Sequence, residues 1–211
     1  MKKFTLSAVS LMAISTLAMA GGDVQNVEPA VAPAATVDKN NVYVGLGYSY
    51  MNINIEGSQE INAVAYPPLL GETDINGHSF TLLAGYNFHQ YLAVEGRYTF
   101  SVGDLDIGNE GGDRDLDADL SNLALYLKPM YPVGGVTLYG LLGYGQVILD
   151  DGTEYSENGF QWGLGAGYSI NDTVGFFVDY TRLYDDQGFD TIWIDQDVVV
   201  DSVNVGVTYE F

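Results

Sequence analysis

From residue 41 onward, apolar and polar side chains alternate with the two-residue period of a strand that has one greasy face. The final segment shows the pattern most plainly: Val203, Val205, Val207, Tyr209 and Phe211 fall on one side, and Ser202, Asn204, Gly206, Thr208 and Glu210 on the other. Eight such segments follow one another. Their apolar faces are the even positions from Val42 to Tyr50, Phe80 to Phe88 and Leu92 to Phe100, then the odd positions from Leu123 to Tyr131. The even positions from Val136 to Tyr144, Phe160 to Ile170 and Val174 to Tyr180 come next, and the odd positions from Val203 to Phe211 close the series. These forty positions hold no Asp, Glu, Lys or Arg, although 17% of the chain is charged. On a barrel surface bathed in hydrocarbon a charge costs about 2–4 kcal/mol at mid-depth, so lipid is an environment that demands so clean a face.

The opposite faces carry Ser49, Thr81, Glu95, Arg97, Thr99, Asn122, Lys128, Gln161 and Asp179, together with many of the 26 glycines. A soluble, lipocalin-like barrel would turn the apolar set inward, and eight strands do not enclose room for that many large side chains. The small and polar set fits a narrow lumen. Short connections at His89-Gln90, Pro132 to Gly135 and Asn171 to Thr173 alternate with long polar segments near 54–77, 104–119, 150–158 and 185–197. Short turns on the periplasmic side and long loops outside are the asymmetry of an outer-membrane barrel. Threaded up and down, Tyr50, Tyr98, Tyr144, Trp162 and Tyr180 fall near outer ends, and Tyr86, Tyr131, Tyr168, Tyr209 and Phe211 near inner ends, as two interfacial girdles. The predicted fold is all-β: an eight-stranded antiparallel up-and-down transmembrane β-barrel over residues 41–211.

The beginning of the chain supports the same address. Lys2 and Lys3, an apolar stretch from Leu6 to Leu17, and Ala18-Met19-Ala20 before Gly21 have the order of a secretory signal peptide, predicted over residues 1–20. Residues 21–40, with Pro29, Pro33 and four nearby alanines, show no sustained period and predict a disordered periplasmic lead-in. Elsewhere no run of about 18 uncharged apolar residues offers a helical span; the nearest, Leu123 to Gly145, is broken by Lys128, Pro129 and Pro132. The chain has no cysteine, which removes disulfides and thiolate ligands from consideration. Loss of Lys2 and Lys3 with the leader takes the net charge from −21 to −23, a surface unsuited to nucleic acid.

Several segments together carry a family likeness: Val42-Tyr43-Val44-Gly45-Leu46-Gly47-Tyr48, Gly85-Tyr86-Asn87-Phe88 followed by Leu92-Ala93-Val94-Glu95, Leu138 to Gly145, and the terminal Tyr209-Glu210-Phe211. In order and spacing these resemble the eight-stranded outer-membrane barrels of Gram-negative bacteria, the OmpA-like and OmpX-like porin-family proteins, over the barrel domain alone. The resemblance implies a place in the cell outer membrane, contact with lipid and lipopolysaccharide, and a terminal strand whose Tyr209 and Phe211 are read by the barrel-assembly machinery. A periplasmic peptidoglycan-binding domain like that of full-length OmpA is not expected.

Candidate chemistry is sparse. Inward Glu95, Arg97, Lys128 and Asp179 are expected to converge as a lumen ion-pair network, which reads either as polar filler or as an ion gate. Gly163-Leu164-Gly165-Ala166-Gly167 lacks the third glycine of a dinucleotide fingerprint, since Tyr168 stands there, and no helix follows; no cofactor is expected. His78 and Ser79 are neighbours on opposite faces of a strand, and His89 sits in a turn, so neither histidine forms a nucleophile and base pair. The acidic outer segments include Asp113-x-Asp115-x-Asp117, which echoes a calcium loop, but Ala118 replaces the turn glycine. Divalent cations that bridge anionic lipopolysaccharide are candidate partners there. The expected function is a monomeric structural and surface-interacting barrel, not an enzyme. A narrow small-solute or ion pore and a lipid A modifying enzyme remain open at this point.

Overall fold

A computed structural model of the protein describes residues 42–56, 73–108 and 114–211. The expected signal peptide and lead-in, and Asp113 of the calcium-like spacing, lie outside these residues. Among the described residues ten strands run in chain order: β1 (Val42–Glu56), β2 (Thr73–His89), β3 (Leu92–Ser101), β4 (Leu105–Gly108), β5 (Arg114–Leu116), β6 (Asp119–Val133), β7 (Val136–Asp150), β8 (Glu154–Ser169), β9 (Val174–Phe189) and β10 (Ile192–Glu210). Eight are barrel staves. The short β4 and β5 continue β3 and β6 beyond a kink and pair with each other, Asp106 opposite Asp115, while β4 also pairs with β2.

Every stave is antiparallel to its neighbours in sequence, and β1 pairs with β10 from Tyr43↔Glu210 to Glu56↔Asp197, so the sheet closes on itself. Closure removes the bare edges that an open sheet would expose to hydrocarbon. Tight turns at the inner end match the local chemistry. Gly134 takes φ +65 between β6 and β7, a left-handed conformation that costs glycine nothing. Asn171 Oδ1 accepts from the Thr173 and Val174 N–H groups and so forms the connection from β8 to β9.

The apolar faces point outward along the lower staves. None of the forty outward positions is buried; Leu123, Leu125, Leu164 and Val205 are all more than half exposed. Inside, space is set by aromatic rings lying over glycines on the next strand. A Cβ on Gly85 would come within 2.2 Å of the Tyr43 ring, and one on Gly165 within 2.5 Å of Tyr139. These glycines are therefore demanded by packing, as a ring across the strand fills what a second side chain would contest.

The outer ends depart from expectation. Most of the described residues in the segments expected as long loops are strand: β1 and β2 stay paired to Ile55↔Thr73, β6 and β7 to Asp119↔Asp150, and β9 and β10 approach a turn at Asp190-Thr191. The physical reason lies in a change of phase. In β1 the apolar residues sit on even positions through Tyr50 and then on odd ones, Met51, Ile53 and Ile55, each at most 1% exposed. Above the membrane, water surrounds the staves and the greasy face turns inward. Ile75, Leu105, Leu120, Val147, Leu149, Leu183, Tyr184, Phe189, Val198 and Val200 complete this upper core, with Ala118. Each fully buried aliphatic chain there is stabilising by about 1.5–3 kcal/mol relative to exposure.

Candidate functional site in the barrel interior

Below the apolar core lies a polar layer, placed there by the inward parity of β1, β3, β6, β7, β9 and β10. Glu95 and Arg97 are two residues apart on β3, hence on the same face, and the Arg97 Nε donates to Glu95 Oε1 at 2.6 Å. The guanidinium also reaches Asp179 on β9 with both terminal nitrogens, at 2.9 and 2.8 Å, a bidentate fork. Lys128 on β6 donates to Glu95 Oε2 at 2.7 Å. Thus the structure brings together the four charged residues expected in the lumen network, and two acids balance two bases.

Neutral groups complete the layer. Tyr43 donates to Glu95 Oε2 at 2.5 Å, Tyr139 to Asp179 Oδ2 at 2.7 Å, and the Asn204 amide to Asp179 Oδ1 at 2.7 Å. Each of the four carboxylate oxygens therefore has a donor. The Lys128 ammonium lies 4.2 Å from the centroid of the Tyr139 ring, and Arg97 lies 5.8 Å from both Tyr126 and Phe177. A second set of hydrogen bonds lines the wall beside the charges: Ser49, Thr81 and Thr99 hydroxyls at 2.7 Å spacing, and Gln161 bridging Asn122 and Tyr126. Desolvating four charges is expensive, and only dense mutual satisfaction offsets it. Chemically, the arrangement is a neutral cross-brace between staves.

Alternation alone does not single out the tyrosines and Asn204 as members of this layer. A usable signal exists all the same: Tyr43 and Tyr139 are aromatics at inward parity, each opposite a glycine, Gly85 and Gly165.

The remaining candidates are placed as follows. His78 is exposed on the outer wall, where its Nδ1 meets the Tyr48 hydroxyl and its ring lies edge-on to Tyr50, while Ser79 is buried inside. His89 ends β2 at the inner turn. Asp115 lies in β5, and Asp117 is exposed just after it. Among the described residues, no three acids or histidines converge on a point where a metal ion would sit. Tyr209 and Phe211 are both exposed on the outward face near the inner end, with ring centroids 5.1 Å apart, and the Phe211 N–H donates to the Val42 carbonyl at 3.1 Å. Higher up, Arg182 is held by Asp201 Oδ1 at 2.9 Å and Asp185 at 2.8 Å; hydrogen bonding to Asp201 raises its already high pKa.

A charge-neutral interior inside a closed wall with a greasy exterior is what spanning a membrane by strands requires. The sequence matches the family model for the outer membrane protein beta-barrel domain over residues 6–211. The chain belongs to this family. Its members' name gives the location, and this outer membrane β-barrel protein accordingly meets lipid with its outward face. Its structure is similar to that of AlkL in DMPC bilayers, with a TM-score of 0.54 and 13% identity, covering 91% of this chain and 97% of AlkL. Neisserial surface protein A gives a TM-score of 0.53 at 17% identity, covering 81% and 97%. Ail of Yersinia pestis gives 0.49 at 19% identity, covering 82% and 99%. These likenesses concern the fold. No curated relative matches the sequence.

Proposed function

We propose that this outer membrane β-barrel is a non-conducting structural and surface-interacting protein, with its lower half anchored in lipid and its acidic upper half presented outside. One observation carries the reading. The interior holds the Glu95–Arg97–Asp179–Lys128 brace at one level and the apolar core around Ile53, Leu149 and Val200 above it. An ion crossing it would have to break fully satisfied pairs and then traverse a dry hydrocarbon layer, where a charge is strongly disfavoured.

The family resemblance adds further parts to the proposal: cleavage of residues 1–20 on export, a lead-in over 21–40, and reading of Tyr209 and Phe211 by the assembly machinery. The protein would work as a monomer beside lipopolysaccharide, with divalent cations shared between its outer carboxylates and the lipid phosphates. No catalytic step is proposed. The deciding measurement is planar-bilayer conductance of the refolded protein, for which no steady current is expected. Steady channels whose conductance changes in Lys128→Met or Asp179→Asn would overturn the reading in favour of a pore.

A further inference from the structure

Among the described residues, seven of the eight seams between staves are laddered or continued to their outer ends. The seam between β8 and β9 is different. Its ladder runs from Ser169↔Gly175 only to Trp162↔Arg182. Above that row, β8 stays paired with β7 up to Asp150↔Glu154, and β9 stays paired with β10 up to Asp197↔Gln187 and beyond, yet the two hairpins do not pair with each other. Two facing strand edges, residues 154–161 and 183–189, are thereby left without a ladder across the seam.

What crosses the seam is side chain. Asp190, at φ 51 in the β9–β10 turn, accepts from the Ser156 N–H at 3.3 Å, and its own N–H donates to Glu157 Oε1 at 2.9 Å. Tyr184 closes the seam from inside, its ring 3.9 Å from where a Cβ on Gly159 would stand and edge-on to Phe189. The Ser156 contact shows that this N–H points into the seam and takes an oxygen that is not part of a ladder. By the alternation of an antiparallel strand, the N–H groups of Asn158 and Phe160 point the same way.

We propose that the β8–β9 seam receives an extended basic peptide segment of another protein, which adds as a strand to the β8 edge. Strand addition draws affinity from main-chain hydrogen bonds and specificity from flanking side chains. The flanking side chains here are Glu154, Glu157, Asp185, Asp186 and Asp190, and the basic side chain beside them, Arg182, is already engaged by Asp201 and Asp185. The unmatched charge calls for lysine or arginine on the incoming strand. Height favours a peptide over an acyl chain: the seam opens only above Trp162 and Tyr180 of the outer girdle, where backbone groups meet water instead of hydrocarbon.

This proposal rests on the surface-interacting role above and supplies the partner class for it. The test uses the full chain in zwitterionic lipid nanodiscs and a dye-labelled eight-residue peptide of alternating lysine and valine. Saturable binding is expected by fluorescence anisotropy, with slowed hydrogen exchange at the Asn158 and Phe160 amides. Replacing lysine by glutamate in the peptide, or N-methylating its alternate amides, is expected to weaken binding by about ten-fold or more. Asn158→Pro is expected to do the same, since it removes a seam-facing donor. Glu154→Gln with Asp186→Asn, two exposed sites, is expected to weaken binding several-fold and leaves the test decisive if the proline variant fails to fold. Absence of binding, absence of amide protection, or undiminished binding of the N-methylated peptide would overturn the proposal. Channel currents bear on the sealed-lumen reading alone, so the two fail separately.

Discussion

The half of the barrel below Tyr50 and Trp162 and the half above them are made of the same staves but obey opposite rules. Below, the even positions of β1 carry Val44, Leu46 and Tyr48 outward, and the inward positions hold Gly45, Gly47 and Ser49. Above, Asn52, Asn54 and Glu56 face out, and Met51, Ile53 and Ile55 face in. The backbone runs straight through this change. The surrounding medium therefore decides which face is apolar, and the fold accommodates either arrangement because a strand offers both faces to every sequence.

The contrast can be broken most severely at its polar layer. Arg97→Met would strand Glu95 and Asp179 inside the wall with no guanidinium between them, at an expected cost of about 3–5 kcal/mol. Reversible urea titration of the protein in lipid vesicles measures it, and a loss under about 1 kcal/mol would mean that water enters the layer freely.

Next comes the upper core. Ile53→Ala removes buried methyls from a dry cluster and is expected to cost about 2–5 kcal/mol in the same titration. Slightly smaller, and the sharpest comparison of the two halves, is a pair of arginine substitutions on the outer wall. Val205→Arg, facing hydrocarbon, is expected to cost about 2–4 kcal/mol, whereas Asn52→Arg, facing outward above the girdle, should stay within about 0.5 kcal/mol. Equal costs at the two sites would place the boundary elsewhere. Smallest is Arg182→Ala at the outer interface, expected to cost about 0.2–1 kcal/mol and to lose even that at high salt, because the ion pairs it breaks are partly in water.

The lower half is legible in the sequence because lipid tolerates no charge. A face such as Leu123, Leu125 and Leu127 belongs against hydrocarbon, and once it is assigned, Glu95, Arg97, Lys128 and Asp179 have nowhere to go but inward. The upper half reads as loop from sequence because its acids, Asp104, Asp106 and Asp119 among them, have the character of solvent-exposed connection. The shift from Tyr48 and Tyr50 to Met51 and Ile53 looks like a break in a pattern if only one medium is considered. With water above and lipid below, the same shift is a continuous strand crossing a boundary. The open upper part of the β8–β9 seam has no sequence signal of that kind: Tyr155 to Gln161 alternates no less plausibly than its neighbours, although β8 and β9 are consecutive strands. Tyr43 and Tyr139 face inward by parity, but their part in the brace is hidden, since it depends on the glycine across from each, Gly85 and Gly165.

The joining of β1 to β10 has a consequence for the order in which the barrel is made. Val44 finds Tyr209 only after everything between them has been synthesised and laid down, a pairing that spans nearly the whole barrel sequence. Until then β1 and β9 are both raw edges, ready to template pairing with any strand that drifts by. A chain of this design therefore spends its early life as a hazard to itself, exposed on both flanks until its last strand arrives.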